Sequence, residues 1–325
     1  MPLLFTPDDL EQATALVHRH MRPTPLYAWP TLAARTGARV WVKHENHGPT
    51  GAFKVRGGIT LIDWLRRTEP ACPGIITATR GNHGQSQARA ATAAGLRAVI
   101  YVPHGNSVEK NAAMRAFGAD LREHGTDFDA AREEVFRVAE AEGLFPVPPF
   151  HRELVRGVAT YAYEMFTQKP DLHTVYVPIG CGSGICGVIA ARDALGLSTR
   201  VVGVVSDRAQ TAKLSAEAGR PIPTDTARTF ADGMAVRVPV AEALAIYGPG
   251  AERIVTVTDD QVAEAIRIFW QDTHNAAEGA GAAPLAALLA EREAMAGRDV
   301  GVILCGGNID SDWMATILSG RTPQV

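Results

Sequence analysis

The sequence predicts an α/β protein with two doubly wound domains, each built on a mostly parallel sheet. Short segments rich in Val and Ile alternate along the chain with amphipathic or alanine-rich segments of helical length. This alternation is typical of parallel strands whose connecting helices cover both faces of a sheet. The length of 325 residues is also sufficient for two domains.

The N-terminal half opens with a predicted amphipathic helix over residues 7–20. Asp8 and Asp9 favour its start, because acidic side chains stabilise a helix N-terminus. Four strand–helix units follow. The predicted strands cover residues 39–43, 74–78, 98–103 and 120–122. The first of their helices starts near Lys54, the second ends near Ala94, and the last two cover residues 108–117 and 127–142.

A proline-dense segment over residues 145–150 predicts a crossing between domains. The same alternation continues beyond it. The predicted strands cover residues 174–179, 200–205, 253–257 and 300–305, and the predicted helices cover 155–166, 259–274 and 282–296, with another from about residue 185. We therefore expect a second parallel sheet in this half of the chain.

Composition excludes several classes of protein. Hydrophobic residues make up 46% of the chain and charged residues 21%, and the formal net charge is only −3, so we expect no nucleic-acid or anionic-membrane partner. No signal peptide and no apolar run of spanning length is apparent. Four cysteines without a Cys-x-x-Cys pair favour a reduced, cytoplasmic protein; they are Cys72, Cys181, Cys186 and Cys305.

The segment 45–58 is the strongest candidate for chemistry. It is rich in Gly and runs directly into a predicted helix, which places Lys54 in or beside the first turn. The positive end of the helix dipole and the apolar neighbour Phe53 both disfavour the ammonium form, leaving a more nucleophilic amine. Such lysines form Schiff bases with carbonyl compounds, including pyridoxal phosphate. The alternative is an ordinary solvated lysine.

A glycine-rich loop lies between the strand at 174–179 and the next helix. It comprises Gly180, Cys181, Gly182, Ser183 and Gly184. Backbone N–H groups and a helix N-terminus at such a loop can hold a phosphate. The segment 182–187 also satisfies G-x-G-x-x-G, and Asp207 could contact a ribose, so a dinucleotide site stays open. A purely structural turn is a third interpretation.

Two further loops follow predicted strands. Residues 79–83 could hold a carboxylate at a helix N-terminus, and residues 305–308 follow the last strand. Because ligands bind outside the carboxyl ends of parallel strands, the three loops can converge on one crevice. The alternatives are a helix cap and a core histidine for Asn82 and His83, and simple burial for Cys305.

Several motifs, in one order, resemble the fold-type II family of pyridoxal-phosphate enzymes, which has a tryptophan synthase β-like fold. The branch is that of threonine/serine dehydratases and serine racemases, and the resemblance covers nearly the whole chain. The matching segments are 24–26, 43–46, 50–57, 81–83, 180–184, 231–233, 278–282 and 305–308. This order favours a pyridoxal-phosphate loop over a nicotinamide dinucleotide site.

The resemblance implies a role for each matching residue. Lys54 would hold the cofactor as a Schiff base and take the α-proton, Phe53 would pack on the pyridine ring, and Asn82 would bond the ring hydroxyl. Cys305 would face the pyridine nitrogen, and this weak partner makes the ring a poorer electron sink and favours elimination. The loop Gly180, Cys181, Gly182, Ser183 and Gly184 would hold the phosphate, and Thr79, Arg80, Gly81, Asn82 and His83 would line the substrate carboxylate site.

The implied enzyme is an ammonia-lyase that converts a 2-amino-3-hydroxy acid to a 2-oxo acid and ammonia. The cofactor phosphate would protonate the leaving hydroxyl. A large domain, 1–73 with 151–325, would bind the cofactor, a small domain, 74–150, would close on the substrate, and the chain would form a homodimer. The alternatives are a racemase of the same fold, an NAD-dependent oxidoreductase and an inactive pyridoxal-phosphate-binding regulatory protein.

This sequence departs from the family pattern in three places. Arg80 stands where racemases carry a serine, so racemisation is not expected. The arginine could bind a distal carboxylate, stack on an aromatic substituent or pair with Glu278, which motivates 3-hydroxyaspartate or 3-phenylserine as substrate. Val205 stands where the family's metal site has a glutamate, so we predict no such metal. Residues 157–160 replace a more glycine-rich turn, which would reshape the pocket.

Overall fold

The computed structural model describes residues 3–126 and 128–325. The helices are α1 (Pro7–His18), α2 (Pro30–Thr36), α3 (Lys54–Thr68), α4 (Asn82–Ala93), α5 (Val108–Ala116), α6 (Phe128–Glu142), α7 (Arg152–Gln168), α8 (Ser183–Ala194), α9 (Thr211–Ala218), α10 (Ala241–Gly250), α11 (Asp259–Thr273), α12 (Gly279–Ala290), α13 (Arg292–Met295) and α14 (Ser311–Leu318). The strands are β1 (Leu26–Ala28), β2 (Arg39–His44), β3 (Gly74–Ala78), β4 (Arg97–Val102), β5 (Asp120–Glu123), β6 (Phe145–Pro146), β7 (Thr174–Pro178), β8 (Arg200–Ser206), β9 (Arg253–Val257) and β10 (Asp299–Leu304).

These strands form two sheets. The six-stranded sheet has the order β1-β2-β10-β7-β8-β9, and only β1 runs antiparallel to its neighbour. The four-stranded sheet has the order β5-β4-β3-β6 and is parallel throughout. The mostly parallel α/β fold is therefore confirmed. The largest group of buried apolar side chains surrounds the six-stranded sheet, and smaller groups pack around the other.

Most predicted elements lie within a few residues of their expected bounds. Thr6 caps the first helix in a capping box with Asp9, which explains why that helix starts where the acidic pair predicted. The predicted start of the helix over residues 127–142 falls on residue 127, outside the described residues. The helix expected over 282–296 ends at Ala290, and a separate short helix follows.

The structure adds a strand to one connecting segment and corrects the expectation for another. The proline-dense segment contains a strand, β6, whose residue Phe145 lies opposite Ile75 of β3; proline is tolerated there because β6 is an edge strand. Residues 157–160 are not a turn but the interior of α7, packed against α3. A Cβ on Gly157 would lie 2.2 Å from the Arg56 carbonyl oxygen, so glycine permits this close helix crossing.

The sheets bring the predicted loops to one place. Loops follow the carboxyl ends of β3, β7 and β10, and all three contribute residues to one cavity. This is where open parallel sheets bind ligands. None of the helices in the described part of the chain combines the length and apolar character needed to cross a bilayer.

Candidate active site

A cavity of about 770 Å³ collects nearly all the candidate residues. Its walls include the three predicted loops, the first residue of α3 and the N-terminal ends of α4 and α8. The predicted site residues in its lining are Phe53, Lys54, Thr79, Arg80, Gly81, Asn82, His83, Gly180, Cys181, Gly182, Ser183, Gly184 and Cys305. The structure therefore places together residues as far apart in the chain as Phe53 and Cys305.

Lys54 is the first residue of α3, as the sequence predicts. Its Nζ lies 3.1 Å from Ser183 Oγ and 5.0 Å from the centre of the Phe53 ring. Burial lowers the pKa of Lys54, and the charges of nearby acidic groups oppose this only in part. The amine is therefore closer to its neutral, nucleophilic form than a surface lysine, and it points at the glycine loop.

The glycine loop has the geometry of an anion site. Gly182 caps α8 with φ of 98°, a conformation that favours glycine, and no side chain caps this helix N-terminus. A Cβ on Gly180 would lie 2.2 Å from the Gly233 carbonyl oxygen, so the loop is held against its neighbour. The first N–H groups of α8 are thus left without a side-chain acceptor, which is the arrangement that binds phosphate.

One interpretation expected Asn82 to cap its helix, but the N-cap residue is Gly81. Asn82 Nδ2 lies 2.8 and 3.0 Å from the two carboxylate oxygens of Glu278. Its Oδ1 accepts a hydrogen bond of 2.8 Å from Asn308 Nδ2, which also donates to the Thr50 carbonyl oxygen at 2.8 Å. Both ends of the Asn82 amide are therefore held by residues from distant segments.

The start of α4 supplies donors for a carboxylate. Thr79 Oγ1 accepts hydrogen bonds from the N–H groups of Gly81 and Gly84, at 3.0 and 3.3 Å. The N–H groups of Asn82 and His83 meet no acceptor among the described residues. These free donors belong to residues that line the cavity, and donors at a helix N-terminus suit a substrate carboxylate.

His83 is not a satisfied core histidine. Its Nε2 is buried without a hydrogen-bond partner in the described chain. Burial lowers its pKa to about 3, and the charge of Lys54 adds to this shift. The ring is therefore neutral at physiological pH and places an unpaired polar atom in the wall of the cavity.

Cys305 is buried, as the simpler interpretation expected, yet it also lines the cavity. Burial raises its pKa well above the usual thiol value, with a further contribution from Glu278. Its carbonyl oxygen accepts a 2.9 Å hydrogen bond from Phe53 N–H. The end of β10 is thus tied to the residue before Lys54, and the thiol stays protonated.

Arg80 lies at the exposed side of the cavity. Among the described residues it has no hydrogen bond and no ion pair, and Glu278 bonds Asn82 instead of Arg80. The guanidinium is therefore available to a group bound in the cavity.

Sequence reasoning missed an ion pair in the cavity wall. Lys110 of α5 pairs with Asp232, and both residues line the cavity together with Glu278. Burial opposes the Lys110 ammonium, but the carboxylates of Asp232 and Glu278 outweigh it and raise the pKa. Asp232 and Glu278 stand in recognised motifs, whereas no motif marked Lys110, because only the fold brings α5 to the cavity.

A second buried cluster lies behind the cavity. The Arg56 guanidinium contacts the carboxylate of Glu45 at 2.7 and 3.0 Å and that of Glu164 at 2.6 and 3.0 Å. Lys43 Nζ also contacts Glu164, at 2.6 Å. All four residues are buried. This cluster anchors the first turn of α3 and so the position of Lys54.

Comparisons with known proteins show which family the chain is similar to. The family model described as pyridoxal-phosphate dependent enzyme matches residues 17–306. The chain is 31% identical to an L-threonine ammonia-lyase of Thermotoga maritima over 97% of this chain and 79% of that one. It is 32% identical to a beta-hydroxyaspartate dehydratase of Paracoccus denitrificans, covering 94% and 97%. The structure of threonine deaminase isoform 2 from Solanum lycopersicum superposes with a TM-score of 0.89 at 28% identity, covering 98% and 95%.

Proposed function

Because the chain belongs to the pyridoxal-phosphate dependent enzymes, we propose that it is a dehydratase, or ammonia-lyase, of 2-amino-3-hydroxy acids. The observation that carries this proposal is the contact of 3.1 Å between Lys54 Nζ and Ser183 Oγ. It puts a deprotonation-prone amine beside an anion-binding glycine loop in one cavity. The names of the relatives, threonine ammonia-lyase and beta-hydroxyaspartate dehydratase, support the same class of reaction.

The residues of the cavity fit pyridoxal phosphate. A Cβ at position 180 would clash, and the uncapped N-terminus of α8 lies behind the loop, so residues 180–184 would hold the phosphate. Lys54 would carry the covalent link, Phe53 would pack on the ring, and Asn82 would contact the ring hydroxyl. Cys305, a protonated thiol, would face the pyridine nitrogen.

The bound cofactor withdraws electrons from the substrate Cα, and the protein's own groups do the rest. The free N–H groups of Asn82 and His83 would orient the substrate carboxylate. Once the substrate's amino group has replaced it in the covalent link, Lys54 Nζ would be free to remove the Cα proton. The 3-hydroxyl leaves with one proton as water, and hydrolysis of the released enamine gives a 2-oxo acid and ammonia.

Arg80 supports a substrate with a larger or charged group at carbon 3. It lies at the cavity without a partner among the described residues, and a guanidinium can bind a carboxylate or stack on an aromatic ring. Two substrates present such groups, 3-hydroxyaspartate and 3-phenylserine. We propose both as candidate substrates.

The first experiment tests the cofactor and the reaction. Purified protein should show the visible absorbance of bound pyridoxal phosphate, and borohydride reduction should attach the cofactor to Lys54. Lys54→Ala should lose the adduct and all 2-oxo acid release, whereas Lys213→Ala, a surface lysine paired with Glu217 on α9, should keep both. A protein that takes up the cofactor but releases no 2-oxo acid from a broad amino-acid panel would instead be a binding or regulatory subunit.

The second experiment tests the substrate. 2-Oxo acid release is measured with threonine, serine, threo-3-hydroxyaspartate and threo-3-phenylserine. Arg80→Met should raise KM at least tenfold for the preferred larger substrate and leave serine nearly unchanged. Only the larger substrate loses a contact with the guanidinium, either a charge-assisted hydrogen bond to a carboxylate or stacking on an aromatic ring. Arg89→Met, in α4 and outside the cavity lining, is the control. Faster turnover of threonine and serine than of both larger substrates would refute the assignment.

Two further features are part of the proposal. The family resemblance implies a homodimer, which light scattering tests directly. It also implies the division into residues 1–73 with 151–325 and residues 74–150. Proteolysis near the two junctions, at residues 73–74 and 150–151, is compared with and without substrate. Protection by substrate would support closure of the unit 74–150.

A further inference from the structure

A chain of hydrogen bonds crosses the wall of the cavity. It begins at the Thr50 carbonyl oxygen, which accepts from Asn308 Nδ2. The same nitrogen donates to Asn82 Oδ1, and Asn82 Nδ2 contacts both oxygens of Glu278. The two ends of this chain, a carbonyl and a carboxyl group, serve as acceptors. With Glu278 ionised, both ends can only accept, so every donor in the chain has one possible direction.

This arrangement determines which way the Asn82 amide faces. Rotating the amide by 180° would set its NH₂ group against the Asn308 NH₂ group and its oxygen against the Glu278 carboxylate. Asn308 cannot rotate in compensation, since its own NH₂ group would then leave the Thr50 carbonyl oxygen. A buried amide with both ends mismatched is costly, so one orientation is strongly favoured.

Glu278 occupies this position at a cost. It is 3% exposed and lies at the N-terminus of α12. The groups that act on it are the carboxylate of Asp232, the ammonium groups of Lys110 and Lys54, and the amide of Asn82; burial and Asp232 raise its pKa to about 7. A carboxyl group that is unfavourable for the fold itself calls for a functional explanation.

We propose that Glu278 is a positioning residue for the cofactor, acting through Asn82. Asn82 Nδ2 carries two N–H groups, so the Glu278 carboxylate can share one of them between its two oxygens. This sets the orientation of the amide and leaves the other N–H for the cofactor. The inference rests on the proposed function, because it requires Asn82 to contact the cofactor.

A double-mutant cycle on cofactor binding tests this inference. Glu278→Gln, Asn82→Ala and the double variant are prepared without cofactor, and pyridoxal phosphate is titrated while the visible absorbance is recorded. Glu278→Gln keeps the shape but replaces one of the two oxygens that contact Asn82 Nδ2 with an NH₂ group, so it should weaken cofactor binding about tenfold and shift the absorbance maximum. In the Asn82→Ala background the same change should weaken binding less than twofold.

Two controls separate positioning from folding. The cofactor-free Glu278→Gln variant should unfold at the wild-type urea concentration or above it, because it loses an unfavourable buried charge. Glu291→Gln lies at the other end of α12, where Glu291 contacts Arg253 and Tyr176, and it should bind cofactor like the wild type. Destabilised cofactor-free protein with weak binding would indicate a structural role and overturn the inference.

The outcomes also distinguish the inference from the proposed function. If Asn82→Ala leaves cofactor binding unchanged, then Asn82 does not contact the cofactor, and both its role and the inference fail. If Asn82→Ala weakens binding and Glu278→Gln has an equal effect in both backgrounds, Glu278 acts independently, so the inference alone fails. Absence of any cofactor binding by the wild type would refute the proposed function itself.

Discussion

Replacing Arg56 with Met should lower the free energy of unfolding by about 3 to 5 kcal/mol. The guanidinium is fully buried and is bidentate to both Glu45 and Glu164, at distances of 2.6 to 3.0 Å. Without it, Glu164 keeps its contacts with Lys43 and His18, whereas Glu45 keeps a hydrogen bond from Thr24 but no ion pair among the described residues. The penalty is that of an uncompensated buried charge, which exceeds the value of the lost hydrogen bonds alone.

Urea unfolding of the cofactor-free protein, followed by circular dichroism, measures this loss. Arg67→Met is the control, because Arg67 lies on the same helix in an exposed pair with Asp63 and should cost less than about 1 kcal/mol. A loss below about 1 kcal/mol for Arg56→Met would refute the reasoning, since the cluster would then tolerate an unpaired carboxylate.

Three further changes have clear expected results. Gly180→Ala puts a Cβ 2.2 Å from the Gly233 carbonyl oxygen, so cofactor affinity, measured by titration, should fall at least tenfold through displacement of the loop. Gly157→Ala puts a Cβ 2.2 Å from the Arg56 carbonyl oxygen, so urea unfolding should show a loss of about 1 to 3 kcal/mol or more from overpacking. The folded-state pKa of Glu278 is raised from 4.5 to about 7, so the folded state binds more protons than the unfolded state in this window. Wild-type stability should therefore fall as the pH rises from 4.5 to 7. Glu278→Gln should remove up to about 3 kcal/mol of this fall, measured by comparing urea midpoints at pH 5 and pH 8.

The sequence predicted the long elements well because their periodicity is strong. Four strands and their helices from residue 39 to residue 142 lie within a few residues of the expected bounds. The elements it did not predict are short or atypical: β1, α2, β6, α9, α10 and α14. The two-residue strand β6 exists because the edge of β3 accepts it, which no local pattern reports.

The site shows the same division between local and tertiary information. Lys54 and the loop at 180–184 could be recognised because each carries its chemistry in a short motif at a helix start. Lys110 could not, because its importance comes from its pairing with Asp232, more than a hundred residues away. The resemblance supplied a role for Asn82, but its partners Glu278 and Asn308 follow only from the fold.

Helix α3 carries Lys54 on its cavity side and Arg56 on the side of the buried cluster, so the two groups have different electrostatic surroundings. Lys54 and Arg56 are two residues apart, which places them about 200° apart around a helix, so one faces the cavity and the other faces the buried cluster. On the cavity side, burial favours the neutral forms of Lys54, His83 and Cys305. On the other side, the cations of Arg56 and Lys43 lower the pKa of Glu164 to about 2 against the effect of burial, so this carboxyl group stays charged.

This separation makes a final prediction about Arg56→Met. The variant should lose stability, yet its folded fraction should bind cofactor with the wild-type absorbance maximum, because the protonation of Lys54 depends on burial in the cavity and on Cys181, Cys305 and Glu278. The measurement is the visible spectrum of the loaded protein in the absence of denaturant, with Glu278→Gln as the variant expected to shift it. A shifted maximum in Arg56→Met would refute this separation. Loss of the buried cluster would then displace the first turn of α3 and change the surroundings of the Lys54 amine.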